Sequence, residues 1–438
     1  MTGPPLGPRH PPVAPELVRA LAGELTAAVE LRHALHRDPR LGGDERDSLD
    51  AVAAALGLEP EPVADTGGMV RLDPGAPVPP GVPPGGGVRA VAVRAELDAL
   101  PVVERSGLPF SAAGPVAHVC GHDVHTAALV ALVRAVARVG PGLLPAPLLA
   151  VFQPREEAAP SGAADVLAAP AFLAHRPGAI LGVHVQPELP RGVVSARAGA
   201  VNASADEIEV VVHGRAGHGG YPHRTRDPVL ALAHVVVGLH HVVSRRVNPL
   251  EAAVVTVGEL RAGSAPNVVP DSASARGTVR ALDADRDALL EILREVTEHT
   301  AAAHGCSAEL SVVPNESAVV NDDGLARAVA AALVDEMADG VAETERGATV
   351  VDDTFRSCGA DDFAHYGAVL PSLMLFVGAG DPDVAPGSGP GLHHPEFSPE
   401  DAMVGEVARA LLTAVVAAGH HLVSPHAVPW APSAPEDT

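Results

Sequence analysis

The chain has 438 residues, is 47% apolar and carries a formal net charge of −24; that length buries a sizeable core and exceeds the usual size of one compact unit, so two domains are expected. The acidity, unbroken by any cluster of basic residues, argues against nucleic acid as a partner. Cys120, Cys306 and Cys358 are too few and scattered for a disulfide framework, "MTGPPLGPRHPPVAP" lacks the apolar segment of a signal peptide, and no run of about 18 apolar residues occurs, so a soluble cytoplasmic protein with no membrane partner is expected.

With 2% aromatic residues the core must be built from Ala, Val and Leu. Residues 1–15 and 426–438 are Pro-rich and read as flexible tails, and "DPGAPVPPGVPPGGG" from Asp73 to Gly87 reads as an exposed loop. Then a rhythm sets in: a strand over "VRAVAVRAELDAL", a helix from about Val124 to Val139, a strand "PLLAVFQ", a helix over "GAADVLAA" and a strand "AILGVHV". Near-continuous apolar strands between helices predict an α/β unit with a mostly parallel sheet covered on both faces. The polar residues follow the strands, in "ELDALP", "QPREE" and "HVQPE", and open parallel sheets place their ligand sites at the carboxyl ends of strands.

From about Ala203 the pattern changes to alternation in "DEIEVVVHG", followed by a helix over "DPVLALAHVVVGLHHVVSRR", strands "AAVVTVGEL" and "ASARGTVRAL", a helix from Asp285 to about Ala303 and a strand "SAELSVV". That order predicts a ferredoxin-like α+β unit, inserted at 201–316 between the two parts, 16–200 and 317–425, of the first domain. The chain returns with "PSLMLFVGAG" and closes with a helix from about Glu400 to Gly419.

The chemistry-bearing residues begin with Cys120 and His122 in "AHVCGHDVHT". Glu156 and Glu157 at a strand end, His184 at the next and His393 in "GLHHPEF" complete a set of thiolate, imidazole and carboxylate, the ligand types of a borderline divalent cation such as zinc. Of two adjacent glutamates one can ligate while the other takes a proton from water. The same Cys, His and carboxylate also suit a thiol nucleophile at Cys120, although that leaves the glutamate pair unexplained. His394, His240, His241 and His365 read as surface or core residues, and Asp123 as a helix cap.

The stretches "RAELDALP", "AHVCGHDVHT", "VFQPREE", "LGVHVQP", "GHGGYPH", "APNVVPD", "GADDF" and "LHHPEF", in this order from about Arg32 to the final helix, resemble the dinuclear metal amidohydrolases that include hippurate hydrolases, N-acyl-amino-acid amidohydrolases and indoleacetyl-amino-acid hydrolases. The resemblance implies a metallopeptidase-type catalytic domain with an inserted lid and dimerisation domain. It also implies two divalent metal ions per subunit, zinc, manganese or cobalt, held by Cys120, His122, Glu157, His184 and His393. Glu156 would serve as general base and then acid on an N-acyl amino acid substrate, and Asp98 would orient a ligand. In the lid, His218 would reach the active site of a second subunit to stabilise the oxyanion, and Asn267 and Arg280 would recognise the substrate carboxylate, so that a homodimer is required. Three positions depart from the resemblance: Glu96 where Asp is usual, Arg155 where a small residue precedes the glutamates, and Asp361 where Glu is usual. The first two either reshape the substrate pocket or point away from it. A cysteine-nucleophile amidase and a non-catalytic binding homologue are the alternatives.

Overall fold

A computed structural model describes residues 11–74, 88–338, 343–344, 347–348, 350–381, 384–385 and 387–424. The expected tails and the Asp73–Gly87 loop lie largely outside those residues. The chain divides into two compact units, one of Met1–Gly199, Val320–Phe355 and His365–Thr438, the other of Ala200–Val319 and Arg356–Ala364.

The first unit opens with two helices that the sequence reading did not mark, α1 (Pro15–Arg37) and α2 (Arg46–Leu56). The buried face of α1 carries Leu17, Leu21, Ala28, Leu31 and Leu35 at helical spacing, with Glu24, Arg32 and His36 on the same face. Two short strands follow, β1 (Glu61–Val63) and β2 (Gly67–Leu72), then β3 (Ala90–Glu96), helix α3 (His122–Val139), β4 (Leu148–Gln153), helix α4 (Gly162–Ala168) and β5 (Pro177–Pro190). One eight-stranded sheet runs in the order β1, β2, β4, β3, β5, Ser372–Gly380, Val193–Ser195 and Val350–Asp352. Its centre is parallel: β3 pairs in parallel with β4 and β5, and β5 with Ser372–Gly380. Every residue of β3 and β4 is buried, so the strands show no alternation and are apolar except for Arg94, Glu96 and Gln153.

Helices α3 and Ala402–Val423 join α1 over this sheet in a core built of Ala, Val and Leu. Ala402–Val423 is long and apolar enough to cross a membrane, but 83% of its most apolar window is buried in the protein; the same test is met by Pro228–Arg246, of which 33% is buried.

In the second unit the strands Ala253–Ala262, Ser272–Ala281, Ser204–His213 and Ser307–Pro314 lie side by side in that order, all antiparallel. Helices Pro228–Arg246 and Arg286–Ala303 pack their Leu, Val and Ala residues into the same core as these strands, which is the ferredoxin-like arrangement. Asp227 caps the first helix through Val229 N–H at 2.9 Å, and Asp285 caps the second through Ala288 N–H at 3.0 Å. The segment 356–364, expected in the first domain, groups with this unit because its backbone bonds there: Ser357 N–H donates to Val201 O at 2.8 Å, and Ala203 N–H to Gly359 O at 3.0 Å.

One half-buried acid of the first unit has a pH consequence. Burial raises the Glu336 carboxyl above its ordinary range, against a hydrogen bond donated by Thr413 Oγ1. A raised folded-state pKa means its contribution to stability is complete at pH below the unfolded value and is lost as pH rises through the folded one. Glu336→Gln keeps an acceptor for Thr413, so its melting temperature should exceed that of the wild type at neutral pH, and the two should converge by about pH 4. Thermal melts across that range check this.

Candidate metal centre

The carboxyl ends of β3, β4 and β5 present the side chains singled out from the sequence. Cys120 closes the loop that follows β3, and His122 opens helix α3. Between them Gly121 sits at φ +92, and a Cβ there would lie 2.3 Å from Val185 Cγ2. Only glycine therefore makes this turn, and the turn brings the flanking thiol and imidazole towards the same spot. Glu156 and Glu157 stand in the loop between β4 and α4. Their loop folds back so tightly that a Cβ at Gly162 would lie 1.7 Å from Pro154 O. His184 is a buried residue of β5, and His393 is a half-exposed residue at φ +65 whose N–H donates to Val119 O at 2.8 Å.

These residues converge. Ligand atoms of Cys120, His122 and His184 lie within 4.8 Å of one another, as do those of Cys120, Glu157 and His393, and those of His122, Glu156 and Glu157. Cys120 Sγ is 3.4 Å from His184 Nε2, His393 Nε2 is 3.0 Å from Glu157 Oε1, and His122 Nε2 is 3.7 Å from Glu156 Oε2. Two imidazoles are oriented from behind: His122 Nδ1 donates to Asp98 O at 2.9 Å, and His184 Nδ1 donates to Val185 O at 2.7 Å. Each is thereby left with Nε2 facing the cluster, the tautomer a metal ligand needs. Asp98 also accepts Glu157 N–H on Oδ2 at 2.8 Å, so one residue holds two of the others in place. His122 Nε2 and Asp98 Oδ1 are buried without a hydrogen-bond partner. A soft thiol, three imidazoles and carboxylates around such atoms fit divalent cations of the zinc type.

The electrostatics are those of a site rich in buried acids. Burial would lower the His122 imidazole, but the carboxylates of Glu96, Asp98 and Glu157 outweigh it and push it up to about 10. Burial pushes His184 down to about 3, with His125 adding to the effect. The Cys120 thiol is pushed well up, first by burial and then by Glu157, Glu156 and Glu96. That is the reverse of an activated thiolate, and it counts against Cys120 as a nucleophile; a cation beside it would reverse the shift.

A layer of buried polar residues surrounds the cluster, most of them not singled out from the sequence. Arg32, fully buried, donates through Nε to Asp123 Oδ2 at 3.0 Å and through Nη2 to Pro399 O at 2.6 Å. His36 donates to Asp123 Oδ2 and Glu104 Oε1, both at 3.0 Å, which makes it an imidazolium. Asp123 is thus no helix cap: Gly121 holds the cap position, and the Asp123 carboxylate is drawn off to Arg32 and His36 because their charges lower its energy more than a bond to the helix end would. His125 donates from Nδ1 to Glu96 Oε2 at 2.8 Å and accepts Val185 N–H on Nε2 at 2.9 Å. Glu96 also pairs with Arg94, whose Nε donates to Gln153 Oε1 at 3.0 Å, where Tyr366 Oη donates at 2.9 Å. Glu96 is therefore spent inside the protein, and Arg155 turns to Asp165 and Asp65. Spacing could have flagged three of these residues, since Arg32 and His36 are one helical turn apart and His125 lies one turn after His122.

The remaining candidates belong to the second unit. Its two-residue strands Gly217–His218 and Val268–Val269 pair, with His218 opposite Val268, and Gly219 N–H donates to Asn267 O at 2.8 Å, so Asn267, just before its strand, is close in the backbone to His218. Gly220 N–H donates to His218 Nδ1 at 2.9 Å, which leaves the proton on Nε2 of an exposed ring. Arg280 lies on Ser272–Ala281, opposite Val254 and Ala205. Asp361 is buried and accepts Phe363 N–H at 2.8 Å.

Comparison with known proteins agrees with this geometry. Residues 92–415 match the description peptidase family M20/M25/M40. An N-acetyldiaminopimelate deacetylase of Exiguobacterium sibiricum is 31% identical over 86% of this chain and 95% of its own. An N-acetylcysteine deacetylase of Bacillus subtilis is 32% identical over 85% of this chain and 92% of its own. A crystal structure from Bacillus subtilis, described as a dinuclear metal-binding peptidase of the M20 family, superposes with a TM-score of 0.72 at 27% identity, over 90% of this chain and 98% of that one.

The turn between Cys120 and His122 sets an expected outcome. Gly121→Ala adds a methyl group into Val185 and forces an L-residue to positive φ, at a cost of roughly 2–4 kcal/mol. A lower denaturation midpoint together with metal content well below that of the wild type, by elemental analysis, should follow.

Proposed function

The chain belongs to peptidase family M20/M25/M40, and on that premise we propose that it hydrolyses the amide bond of N-acyl amino acids or related small amides with the help of two divalent cations. The observation that carries this is the overlap of the three ligand triads, since Cys120, His122 and Glu157 each belong to two of them. Cys120, His122, Glu157, His184 and His393 would hold the ions, with zinc, manganese or cobalt all compatible with that donor set. Bound there, the ions would polarise the amide carbonyl and bring the pKa of a water close to neutrality.

The chain's own groups complete the reaction. Glu156, whose Oε2 is 3.7 Å from His122 Nε2, stands beside the ligands, while the Asp98 carboxylate accepts Glu157 N–H. Its carboxylate would take a proton from water as oxygen attacks the carbonyl carbon, and return it to the nitrogen as the C–N bond breaks, leaving a carboxylic acid and a free amine. Asp98 would keep the His122 ring and the Glu157 backbone in register throughout. In the second unit, the Nε2–H of His218 suits an oxyanion donor and Asn267 and Arg280 suit a substrate carboxylate, with His218 serving the partner subunit of a homodimer. The net charge of −24 argues against nucleic acid as a partner, and a soluble cytoplasmic enzyme is the corresponding reading.

Chelation should abolish hydrolysis of N-acetyl, N-benzoyl or indoleacetyl amino acids, and zinc, manganese or cobalt should restore it; full turnover by metal-free protein would refute the reading. Glu156→Gln should lower kcat by about 10²–10⁴-fold with metal content unchanged, whereas Cys120→Ser should lose metal and activity together. Mixing Glu156→Gln with His218→Ala subunits should regenerate activity if His218 acts across a dimer, and mixtures as inactive as the parents would remove that role.

A further inference from the structure

Glu45 stands at the start of α2, far in sequence from the metal-ligand candidates, and its side chain is completely buried. Its carboxylate accepts three hydrogen bonds: from Gly43 N–H at 2.9 Å and Thr66 Oγ1 at 2.6 Å on Oε2, and from Arg155 N–H at 2.8 Å on Oε1. The last of these falls on the residue immediately before Glu156. Arg155 is held at φ +53, in the left-handed region that side-chain-bearing residues avoid. Its carbonyl is bound as well, accepting Gly162 N–H at 3.0 Å. The Arg155 backbone is thus gripped from both sides, and neither grip involves its own side chain, which turns to Asp165 and Asp65.

The direction in which the chain leaves Arg155 decides where the next two carboxylates stand. Two peptides later Glu157 N–H is bound to Asp98 Oδ2 at 2.8 Å, so the pair Glu156 and Glu157 is suspended between Glu45 on one side and Asp98 on the other. A carboxylate is suited to the post because it accepts all three bonds without donating any, and its anionic form strengthens each of them. The start of β2 presses on the same loop, since a Cβ at Gly67 would lie 2.7 Å from both Phe152 O and Pro154 Cδ. Thr66, the hydroxyl donor to Glu45, is the residue just before that contact.

We infer that Glu45 is a positioning residue for the hydrolysis: by holding Arg155 in its left-handed conformation it fixes the places of the Glu156 and Glu157 carboxylates. This rests on the reading of those two residues as base and ligand given above. It reaches the metals only through the backbone, so its loss should loosen them without removing any ligand.

In Glu45→Gln the side-chain NH2 must face at least one of the three donors, and the grip on one side of the loop fails. Zinc affinity, measured on the full-length protein by competition with a chromophoric chelator, should weaken by about 10–100-fold. At saturating zinc, kcat should fall by at least about tenfold while KM for an N-acetyl amino acid stays within about twofold, the sign of a misplaced base rather than a damaged pocket. Adding Arg155→Gly to Glu45→Gln should recover part of both losses, because glycine takes the left-handed conformation without being held. Wild-type zinc affinity and kcat in folded Glu45→Gln protein, or a double variant no better than the single, would overturn the inference. Should Glu45→Gln not fold, Thr66→Val removes one donor from the same carboxylate and should weaken zinc binding and kcat in the same direction by a few-fold; no change in either overturns the inference too. The zinc measurement does not depend on Glu156 being the base, so an active Glu156→Gln protein would sink the mechanism while leaving the Glu45 result to be judged on its own.

Discussion

The structure turns on a point where no side chain fits. Gly121 lies against Val185 so closely that an added methyl group would overlap it, and it does so at a backbone angle other residues avoid. Val185 in turn is held by three of its parts. Its amide is bound by His125 Nε2, its carbonyl accepts His184 Nδ1, and its side chain closes on Gly121. The thiol of Cys120 and the rings of His122 and His184 converge because all three hang from this one contact. Apolar packing and two hydrogen bonds do for the ligands what no propensity of the ligands themselves could do.

Around that contact the protein buries charge in unusual quantity. Arg32, His36, Glu96, Asp98 and Asp123 are all buried in the first unit, although each such group costs several kcal/mol to remove from water. The cost is offset by pairing: Asp123 with Arg32 and His36, Glu96 with Arg94 and His125. Asp123 also sits in the first turn of α3, where the helix favours negative charge. Asp98, Glu156 and Glu157 are arranged differently, facing the imidazoles and thiol of the cluster. A site whose acids outnumber its paired cations is prepared for positive charge from outside the chain.

The parallel sheet and its polar strand ends were legible because both follow from local pattern: continuous apolar runs need two covered faces, and ligand-type residues after them have one place to go. The inserted unit was legible for the same reason, through its alternating strands. Helix α1 was not, because its inward face mixes Leu17, Leu21 and Leu35 with Glu24, Arg32 and His36, which blunts the apolar stripe that marks a helix. Glu96 and Arg155 could not be placed from sequence, since a longer side chain can reach a substrate or a buried partner equally well, and only the positions of Arg94, His125, Asp165 and Asp65 decide. Arg155 carries no sign of its positive φ, and nothing near Glu45 announces that it closes on a loop more than a hundred residues away. The grouping of 356–364 with the second unit depends on backbone bonds to Val201 and Ala203, which side-chain patterns do not encode.

The order of strands in the large sheet bears on how the protein is made. Ser372–Gly380 lies inside that sheet, between β5 and Val193–Ser195, yet it is synthesised only after the whole main segment of the second unit. At about 5–20 residues per second the ribosome leaves β5 without its neighbour for roughly 10–40 s. In that interval the main segment of the second unit can fold, while an open apolar edge of the first unit waits for the strand that seals it. Nascent chains of this protein therefore face their greatest danger of sticking to one another late in translation, and slow refolding from denaturant should share the same cause.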